Sequence, residues 1–236
     1  MTYNYVQYLE KKLFEARDSR KTVRTELQIE IAMASLLQTR AYHSISVDMI
    51  TERARLAHGT FYRYFAGKRE LVAKTLADYF EFVRTTRPKS SPETADYEAI
   101  SIGNRHYVRC FRENVGLMRC HFHLKDEDDL IAEVARRADR QMSDRSIRRV
   151  LRKSRLAEDE LHELRLTTYA LISMVDELLL KVYGQMNPPL ANLADQPDVV
   201  ADTLTRLWHA ALDGYGQKTP VETASPTEHR IDIAGE

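Results

Sequence analysis

Apolar side chains recur at intervals of three and four residues along most of the chain, and no segment alternates apolar and polar positions as a half-buried strand would. Only 8 Gly and 7 Pro interrupt the pattern, so long helices are favoured over many short strands. The helical stripes run through residues 3–20, 22–40, 68–84, 93–114, 126–152, 158–185 and 198–212. The pattern therefore predicts an all-α protein.

Breaks in this pattern divide the 236 residues into five parts. A stretch with two prolines separates a smaller N-terminal helical unit from a larger one. The last residues have few large apolar side chains, two prolines and several acids, which is typical of disorder. We therefore expect an amphipathic helical extension at 1–21, a small helical domain at 22–86, a linker at 87–92, a larger helical domain at 93–214 and a disordered tail at 215–236.

Two short helical segments joined by a tight turn precede the long stripe that begins near residue 68. Ser46 is placed to cap the first, which runs to Ala54. The second is His58–Phe65, in which Phe61 and Phe65 lie four residues apart and point together into a core. Two helices, a tight turn and a longer third helix form the outline of a helix-turn-helix DNA reader.

The segment AYHSISVDMITERARLAHGTFYRYFAGKREL closely resembles the DNA-binding domain of the tetracycline-repressor (TetR) family of transcriptional regulators. The resemblance covers residues 24–72, and the rest of the chain agrees in helicity, in length and in the segment LTRLWHAALDG. It implies an N-terminal three-helix helix-turn-helix domain followed by a larger helical domain for effector binding and dimerisation. The implied phosphate contacts come from Ser46, Thr60, Tyr62, Tyr64 and Lys68, and the implied base contacts come from His58, Gly59 and Arg63.

Three positions depart from the family pattern. Ala41 and Arg55 stand where the family usually has glycine, at sites that favour positive φ, so each costs about 1 kcal/mol. Asp48 stands where a basic residue is common, which argues against a phosphate contact there. Other roles stay open for several site residues: Tyr62 and Tyr64 could pack between helices, His58 could be a solvated imidazole and Arg63 could be a further phosphate contact.

The resemblance implies a ligand-responsive regulator, in its simplest form a repressor that releases a palindromic operator when a small effector binds the C-terminal domain. The implied partners are operator DNA, a second copy of the chain held through helices 158–185 and 198–212, and a small apolar effector. An architectural DNA-binding protein without an effector and an all-α enzyme are the alternatives. Candidate pocket residues, which would equally suit plain core, are Tyr107, Phe111, Met118, Phe122, Tyr169 and Met174.

Charge and candidate chemistry change this picture little. The net charge is zero, but residues 1–85 carry 14 Lys and Arg against 10 Asp and Glu, which favours an anionic partner there. No nucleophile elbow, phosphate loop or dinucleotide fingerprint occurs, so we expect neither enzymatic activity nor a cofactor. His106 and Cys110 lack further metal ligands, and His121 and His123 diverge on a helix, so no metal is expected. No apolar run would span a membrane and two cysteines suit a reducing compartment, so we expect a cytoplasmic location.

Overall fold

The computed structural model describes residues 2–91 and 93–216, and within them every regular element is helical. This confirms the all-α prediction. Short 3-10 turns lie at Ala16–Asp18, Tyr42–Ser44 and Pro188–Leu193, and a π-helical turn at Leu180–Gly184 continues the ninth helix. The α-helices are α1 Tyr5–Glu15, α2 Lys21–Thr39, α3 Val47–Ala54, α4 His58–Phe61, α5 Lys68–Thr86, α6 Asp96–Glu113, α7 Val115–Leu124, α8 Asp129–Leu151, α9 Glu158–Leu179 and α10 Pro197–Gly216.

The N-terminal unit packs α3 and α4 against α2 and α5 around one apolar core. Phe61 and Phe65 are both buried with ring centroids 5.9 Å apart, which confirms the prediction from their spacing. The predicted second helix is too long, because α4 ends at Phe61 and a turn follows it. Aromatic residues are weak helix formers, and Glu70 accepts a hydrogen bond from the backbone N of Ala66 at 2.7 Å, which starts the next helix instead.

The turn between α3 and α4 contains a left-handed residue. Arg55 has φ 56° and ψ 45°, which confirms the positive φ predicted for it. Its backbone N donates to Glu52 O at 3.0 Å, and Leu56 N donates to Thr51 O at 2.9 Å, so backbone hydrogen bonds hold the turn. The same prediction for Ala41 is wrong, since Ala41 is extended at φ −69° ahead of a 3-10 turn and carries no strain of this kind.

The N-terminal extension forms part of the core. Tyr5 of α1 is fully buried, and its hydroxyl donates to Glu30 of α2. The other oxygen of Glu30 accepts from Lys74 Nζ of α5 at 3.1 Å. At its N-terminal end, α1 is held by Asn114, which accepts from Tyr5 N at 2.8 Å and donates to Tyr3 O at 2.7 Å. The extension therefore joins the N-terminal unit to the junction between α6 and α7.

The larger unit is built mainly from α6 packed on α10 and α8 packed on α9. It meets the N-terminal unit where α7 packs on α2 and where α5 packs on α8. At the first contact Gly116 faces the backbone of α2, and a Cβ there would lie 2.5 Å from Gln38 Cα and still closer to Leu37 O. Only a glycine allows this approach.

Two predicted boundaries differ from the structure. The helix expected from residue 93 begins at Asp96, and the last helix, expected at 198–212, continues as α10 through Gly216. Tyr215 is buried beside Val150 and Leu164, so it belongs to the larger unit. The remainder of the predicted tail, 217–236, lies outside the described residues. None of the described helices is long and apolar enough to cross a membrane.

Candidate nucleic-acid interface and effector cavity

The eight predicted DNA contacts all lie at the surface of the N-terminal unit, at the start of α3, in α4 with the turn after it, and at the start of α5. The exposed ones are Ser46, His58, Gly59, Tyr62 and Arg63, and the half-buried ones are Thr60, Tyr64 and Lys68. Because Phe61 and Phe65 anchor the inner side of this segment, its outer side is presented to solvent.

Gly59 and Arg63 face open space. A Cβ built on Gly59 would meet no described atom within 4 Å, so the packing of the protein does not require a glycine there. Arg63 is exposed, and no side chain in residues 2–91 or 93–216 pairs with its guanidinium. A backbone without a side chain next to an unengaged guanidinium suits a groove that comes close to both.

His58 is held by a carboxylate. Its Nδ1 lies 2.5 Å from Asp48 Oδ1, which joins α4 to α3, and its ring lies 5.4 Å from the ring of Tyr62. This contact explains the departure of Asp48 from the family pattern, because the carboxylate orients the imidazole instead of touching a phosphate. Asp48 and His58 belong to different helices, so no periodic signal in the sequence could have revealed the pair.

Lys68 has an internal role that the sequence did not show. Its Nζ donates to Ile45 O at 2.8 Å and to Tyr42 O at 3.2 Å, and it lies 4.4 Å from the centre of the Tyr42 ring. Two of its three ammonium hydrogens thus hold the segment ahead of α3. The Oγ of Ser46 accepts from Met49 N at 3.2 Å, which confirms the predicted N-cap.

A cavity of about 540 Å³ lies among α5, α6, α8, α9 and α10. Tyr107 lines it, but the other five predicted pocket residues do not: Phe111, Met118, Phe122, Tyr169 and Met174. Phe111 and Met118 are fully buried core instead. The Phe111 ring packs 6.4 Å from the ring of Tyr183, because it faces the junction with α7 rather than the cavity.

The cavity wall combines apolar and charged side chains. Its apolar part includes Phe80, Ile100, Met142, Ile172 and Val175. Seven Lys and Arg residues and four Asp residues also line it, so the wall is far more charged than the predicted apolar effector requires. On α8, Asp139, Arg145 and Arg149 line the cavity and are half-buried.

One end of the cavity holds a hydrogen-bonded carboxyl. The hydroxyl of Tyr107 donates to Asp176 Oδ1 at 2.6 Å. Burial raises the pKa of Asp176 to about 7, and the hydrogen bond from Tyr107 partly opposes this shift. Burial also raises the pKa of Asp139 nearby. Near neutral pH this end therefore carries less negative charge than two ordinary carboxylates would.

One group of potential metal ligands occurs within the described ranges. His43, His123 and Glu127 each offer a ligand atom within 4.8 Å of the others, and all three are exposed. His121 and His123 point apart, as their spacing on a helix predicts. The ring of His121 is buried 5.0 Å from the ring of Phe80, whereas His123 is exposed. His43 lies in a 3-10 turn, His123 in the last turn of α7 and Glu127 in the turn after α7, so sequence spacing gave no sign of the trio.

The two cysteines are free and buried. Burial raises the pKa of both thiols to about 12, so neither is a thiolate at neutral pH. The Cys110 Sγ lies 3.5 Å from His106 Nε2, but that nitrogen also lies 2.9 Å from the carbonyl of Val83. The His106 and Cys110 pair is thus part of the packed interior.

Residues 32–75 match the model of a family described as bacterial regulatory proteins, tetR family. A segment of 54 residues is 39% identical to the dhaKLM operon transcriptional activator DhaS of Lactococcus lactis, and it spans 23% of this chain and 29% of that protein.

Solved structures share the fold over most of the chain. A transcriptional regulator from Rhodococcus sp. Rha1 superposes with a TM-score of 0.64 at 14% identity, covering 78% of this chain and 96% of that one. The TetR family repressor AlkX from Dietzia sp. gives 0.51 at 18% identity, covering 81% and 97%.

Proposed function

We propose that this chain, whose residues 32–75 match the TetR family model, is a homodimeric transcriptional regulator that binds duplex DNA and responds to a small effector. The observation that carries this proposal is the outer side of α4 and the turn after it, where Gly59, Tyr62 and Arg63 are exposed while Phe61 and Phe65 anchor the inner side. The match to a family of non-enzymatic regulators argues against the enzyme alternative.

The site residues divide by what they touch. Arg63, with five donors in a planar fork, and His58, held by Asp48, are the proposed base readers, and Gly59 lets the backbone approach the groove. The hydroxyl groups and Lys68 are the proposed phosphate contacts, which position the unit without reading sequence. Their members are Ser46, Thr60, Tyr62, Tyr64 and Lys68.

Exposed apolar side chains on α9 and α10 support dimerisation. Leu166 of α9 is 72% exposed, and Leu207 of α10 is 44% exposed, with small exposed residues Ala170 and Ala210 on the same helices. These two helices pack on each other, so their outer sides form one surface. Two copies meeting there would bury the leucines in a four-helix bundle, and would present two copies of α4 to a palindromic site.

The cavity supports a response to an effector. Its volume of about 540 Å³ lies in the range of about 300–1,000 Å³ that is typical of small-molecule sites. An architectural protein has no need of such a space. Release of a repressor from its operator is the simplest response, although DhaS of Lactococcus lactis is named an activator and AlkX of Dietzia a repressor. The protein would act in the cytoplasm, beside the chromosome.

The test is selection of bound sequences from random duplexes by the full chain, combined with light scattering. We expect an inverted repeat to be enriched and the protein to be a dimer at micromolar concentration. Leu166→Glu and Leu207→Glu should each yield monomers with weakened DNA binding, whereas Leu151→Glu, at a similarly exposed leucine of α8, should leave the dimer intact. A monomer that binds a single half-site with undiminished affinity would overturn the proposal.

A further inference from the structure

The wall of the cavity contains a half-buried cation, Arg87, that forms no ion pair with any described residue. Arg87 follows the last residue of α5, and its Nη2 donates to the backbone O of Ala99 at 3.0 Å. Its Nε is buried and has no hydrogen-bond partner. Burial lowers the pKa of this guanidinium to about 10, with Arg145 and Arg149 adding to the effect, so it stays charged at neutral pH.

The cations near Arg87 outnumber the carboxylates that form ion pairs with them. Asp96 accepts from Arg149 Nε and from Lys153 Nζ, both at 2.8 Å, so one carboxylate already serves two cations. Arg145 lines the cavity between them and Arg87, and no carboxylate among the described residues lies within 4 Å of it. Burial lowers its pKa, and the nearby cations lower it further. This end of the cavity therefore holds more positive charge than the protein neutralises.

The backbone makes room for this arrangement. Gly103 of α6 faces the guanidinium of Arg87, and a Cβ there would come within 2.8 Å of Arg87 Cζ. A side chain at residue 103 would displace the guanidinium of Arg87. The glycine thus keeps the cation inside the wall of the cavity rather than on the outer surface.

A second donor is unengaged in the same cavity. The Nε1 of Trp208 on α10 is buried without a partner, and an indole nitrogen can only donate. Buried donors in folded proteins are almost always paired, and unpaired ones need an explanation. Arg87 Nε and Trp208 Nε1 are both explained if a bound molecule supplies the acceptors.

We propose that the effector is an organic anion, with a carboxylate, phosphate or sulfonate group bound by Arg87 and Arg145 and an apolar body packed against Phe80, Met142 and Ile172. This inference rests on the proposed function only in taking the cavity as the effector site. A guanidinium presents paired donors that match an oxyanion in a two-point contact, and a shielded cavity strengthens that contact. A neutral ligand would leave both cations uncompensated, and a cationic ligand would add repulsion.

The far end of the cavity is compatible with such a ligand. The carboxyl of Asp176 is hydrogen-bonded by Tyr107 and is partly protonated near neutral pH, so it repels an anion less than a full carboxylate would. Along α8, Met142 lies about one turn from both Asp139 and Arg145, and all three residues line the cavity. The charged group is therefore directed to the end that contains Arg87 and Arg145.

A matched pair of fluorescent probes tests the proposal: 8-anilinonaphthalene-1-sulfonate and its neutral parent, N-phenyl-1-naphthylamine, which lacks only the sulfonate. Titration of the full-length wild-type protein with each should show the sulfonate binding about tenfold more tightly or better, as expected for a charge-assisted contact. Arg87→Gln and Arg145→Gln should each lower the affinity for the sulfonate about tenfold and leave that for the neutral probe within about twofold.

Arg140→Gln is the matched control, since it removes one exposed charge from the same helix as Arg145 but outside the cavity. Its sulfonate affinity should stay at the wild-type value. Partial unfolding of a variant would raise the fluorescence of both probes, so a selective loss cannot come from misfolding. Gly103→Ala, which displaces Arg87 without removing a charge, should also weaken the sulfonate selectively.

Equal affinity for the two probes, or a sulfonate affinity that neither arginine variant changes, would overturn the anion proposal. Failure of the sulfonate probe to bind would overturn it as well. DNA binding by the same variants is measured separately without probe, and we expect it to be unchanged. If the wild-type protein showed no sequence-specific DNA binding, the proposed function would be contradicted instead. Failure of the anion proposal is therefore distinguishable from failure of the proposed function.

Discussion

Arg69, in the first turn of α5, forms a two-pronged ion pair with Asp128, the N-cap of α8, with Nε–Oδ2 at 2.5 Å and Nη2–Oδ1 at 2.9 Å. The same Asp128 Oδ1 accepts from the backbone N of Leu130 at 2.9 Å. The carboxylate of Asp128 therefore caps the start of α8, which contributes Arg145 and Arg149 to the cavity. The same carboxylate joins α8 to α5, which begins at Lys68. This pair joins the N-terminal unit to the helix that contributes Arg145 to the cavity.

Arg69→Gln should reduce the coupling between the cavity and DNA. Linkage requires that a cavity ligand and DNA change each other's affinity by the same factor. We expect that factor, measured with 8-anilinonaphthalene-1-sulfonate and the selected duplex, to move towards one in the variant while each binary affinity changes little. Arg136→Gln, which breaks an ion pair within α8 alone, is the control and should keep the wild-type factor. An unchanged factor in Arg69→Gln would show that another contact carries the coupling.

Gly59→Ala should separate folding from DNA binding. The new methyl group meets no described atom within 4 Å, and alanine favours a helix over glycine by up to about 1 kcal/mol, so thermal stability should hold or rise slightly. DNA affinity should fall about tenfold or more, because the methyl group would intrude between α4 and the groove. Wild-type affinity in a stable variant would show that the DNA backbone and bases stay clear of residue 59.

Arg63→Ala should weaken binding to the selected site more than to a scrambled duplex, by roughly 1–3 kcal/mol if the guanidinium meets a guanine edge. Its guanidinium has no partner among the described side chains, so folding should be unaffected. Lys68→Ala is the contrasting variant, since it removes both a proposed phosphate contact and the hold on Ile45 O. It should weaken both duplexes alike and lower the melting temperature. Competition binding gives both differences, and equal losses for Arg63→Ala would assign it to the phosphates.

Tyr5→Phe should destabilise the protein by about 1–3 kcal/mol, because it deprives the buried carboxyl of Glu30 of its hydroxyl donor. Burial raises the pKa of Glu30, and Lys74 on the other side partly opposes that shift. Tyr8→Phe removes from the same helix a hydroxyl that has no hydrogen-bond partner among the described residues, so it serves as the control in urea unfolding. Equal stability of the two variants would mean that the hydrogen bond contributes nothing net.

Asp176→Asn should flatten the pH dependence of stability. The pKa of Asp176 is raised from about 4 in the unfolded chain to about 7, so between these values the folded state holds a proton that the unfolded state lacks. The free energy of unfolding of the wild type should therefore fall as pH rises through this interval, by an amount on the order of a few kcal/mol. The asparagine variant lacks this contribution. Urea unfolding at several pH values measures it, with Asp195→Asn as the exposed control.

Features set by residues three or four apart were predictable from the sequence. The N-cap at Ser46 and the paired burial of Phe61 and Phe65 depend on local geometry, and the structure shows both. The positive φ of Arg55 was instead expected from the resemblance to the TetR family. Helix ends were less predictable. The hydrogen bond of Ala66 N to Glu70 competes with continuation of α4, and the pattern of apolar residues does not reveal which wins.

The cavity could not be separated from the core in the sequence. Tyr107 and Phe111 lie one turn apart on α6 and belong to the same apolar stripe, yet the first lines the cavity and the second packs against Tyr183. That difference arises from how α6 is tilted between α7 and α10, which involves residues far apart in the chain. The contacts of Asp48 with His58 and of Lys68 with Ile45 O are likewise tertiary.

The approach of Gly116 to α2 has a mechanical consequence. The backbones of α2 and α7 touch here without a side chain between them. Separating the helices would lose close packing, and sliding one along the other would bring the Leu37 carbonyl into contact with α7. Rotation about the contact is the least obstructed motion. The junction of α2 and α7 is therefore suited to be a pivot between the larger unit and the N-terminal unit that contains α4. In the proposed dimer, a rotation at this junction would change the distance between the two copies of α4.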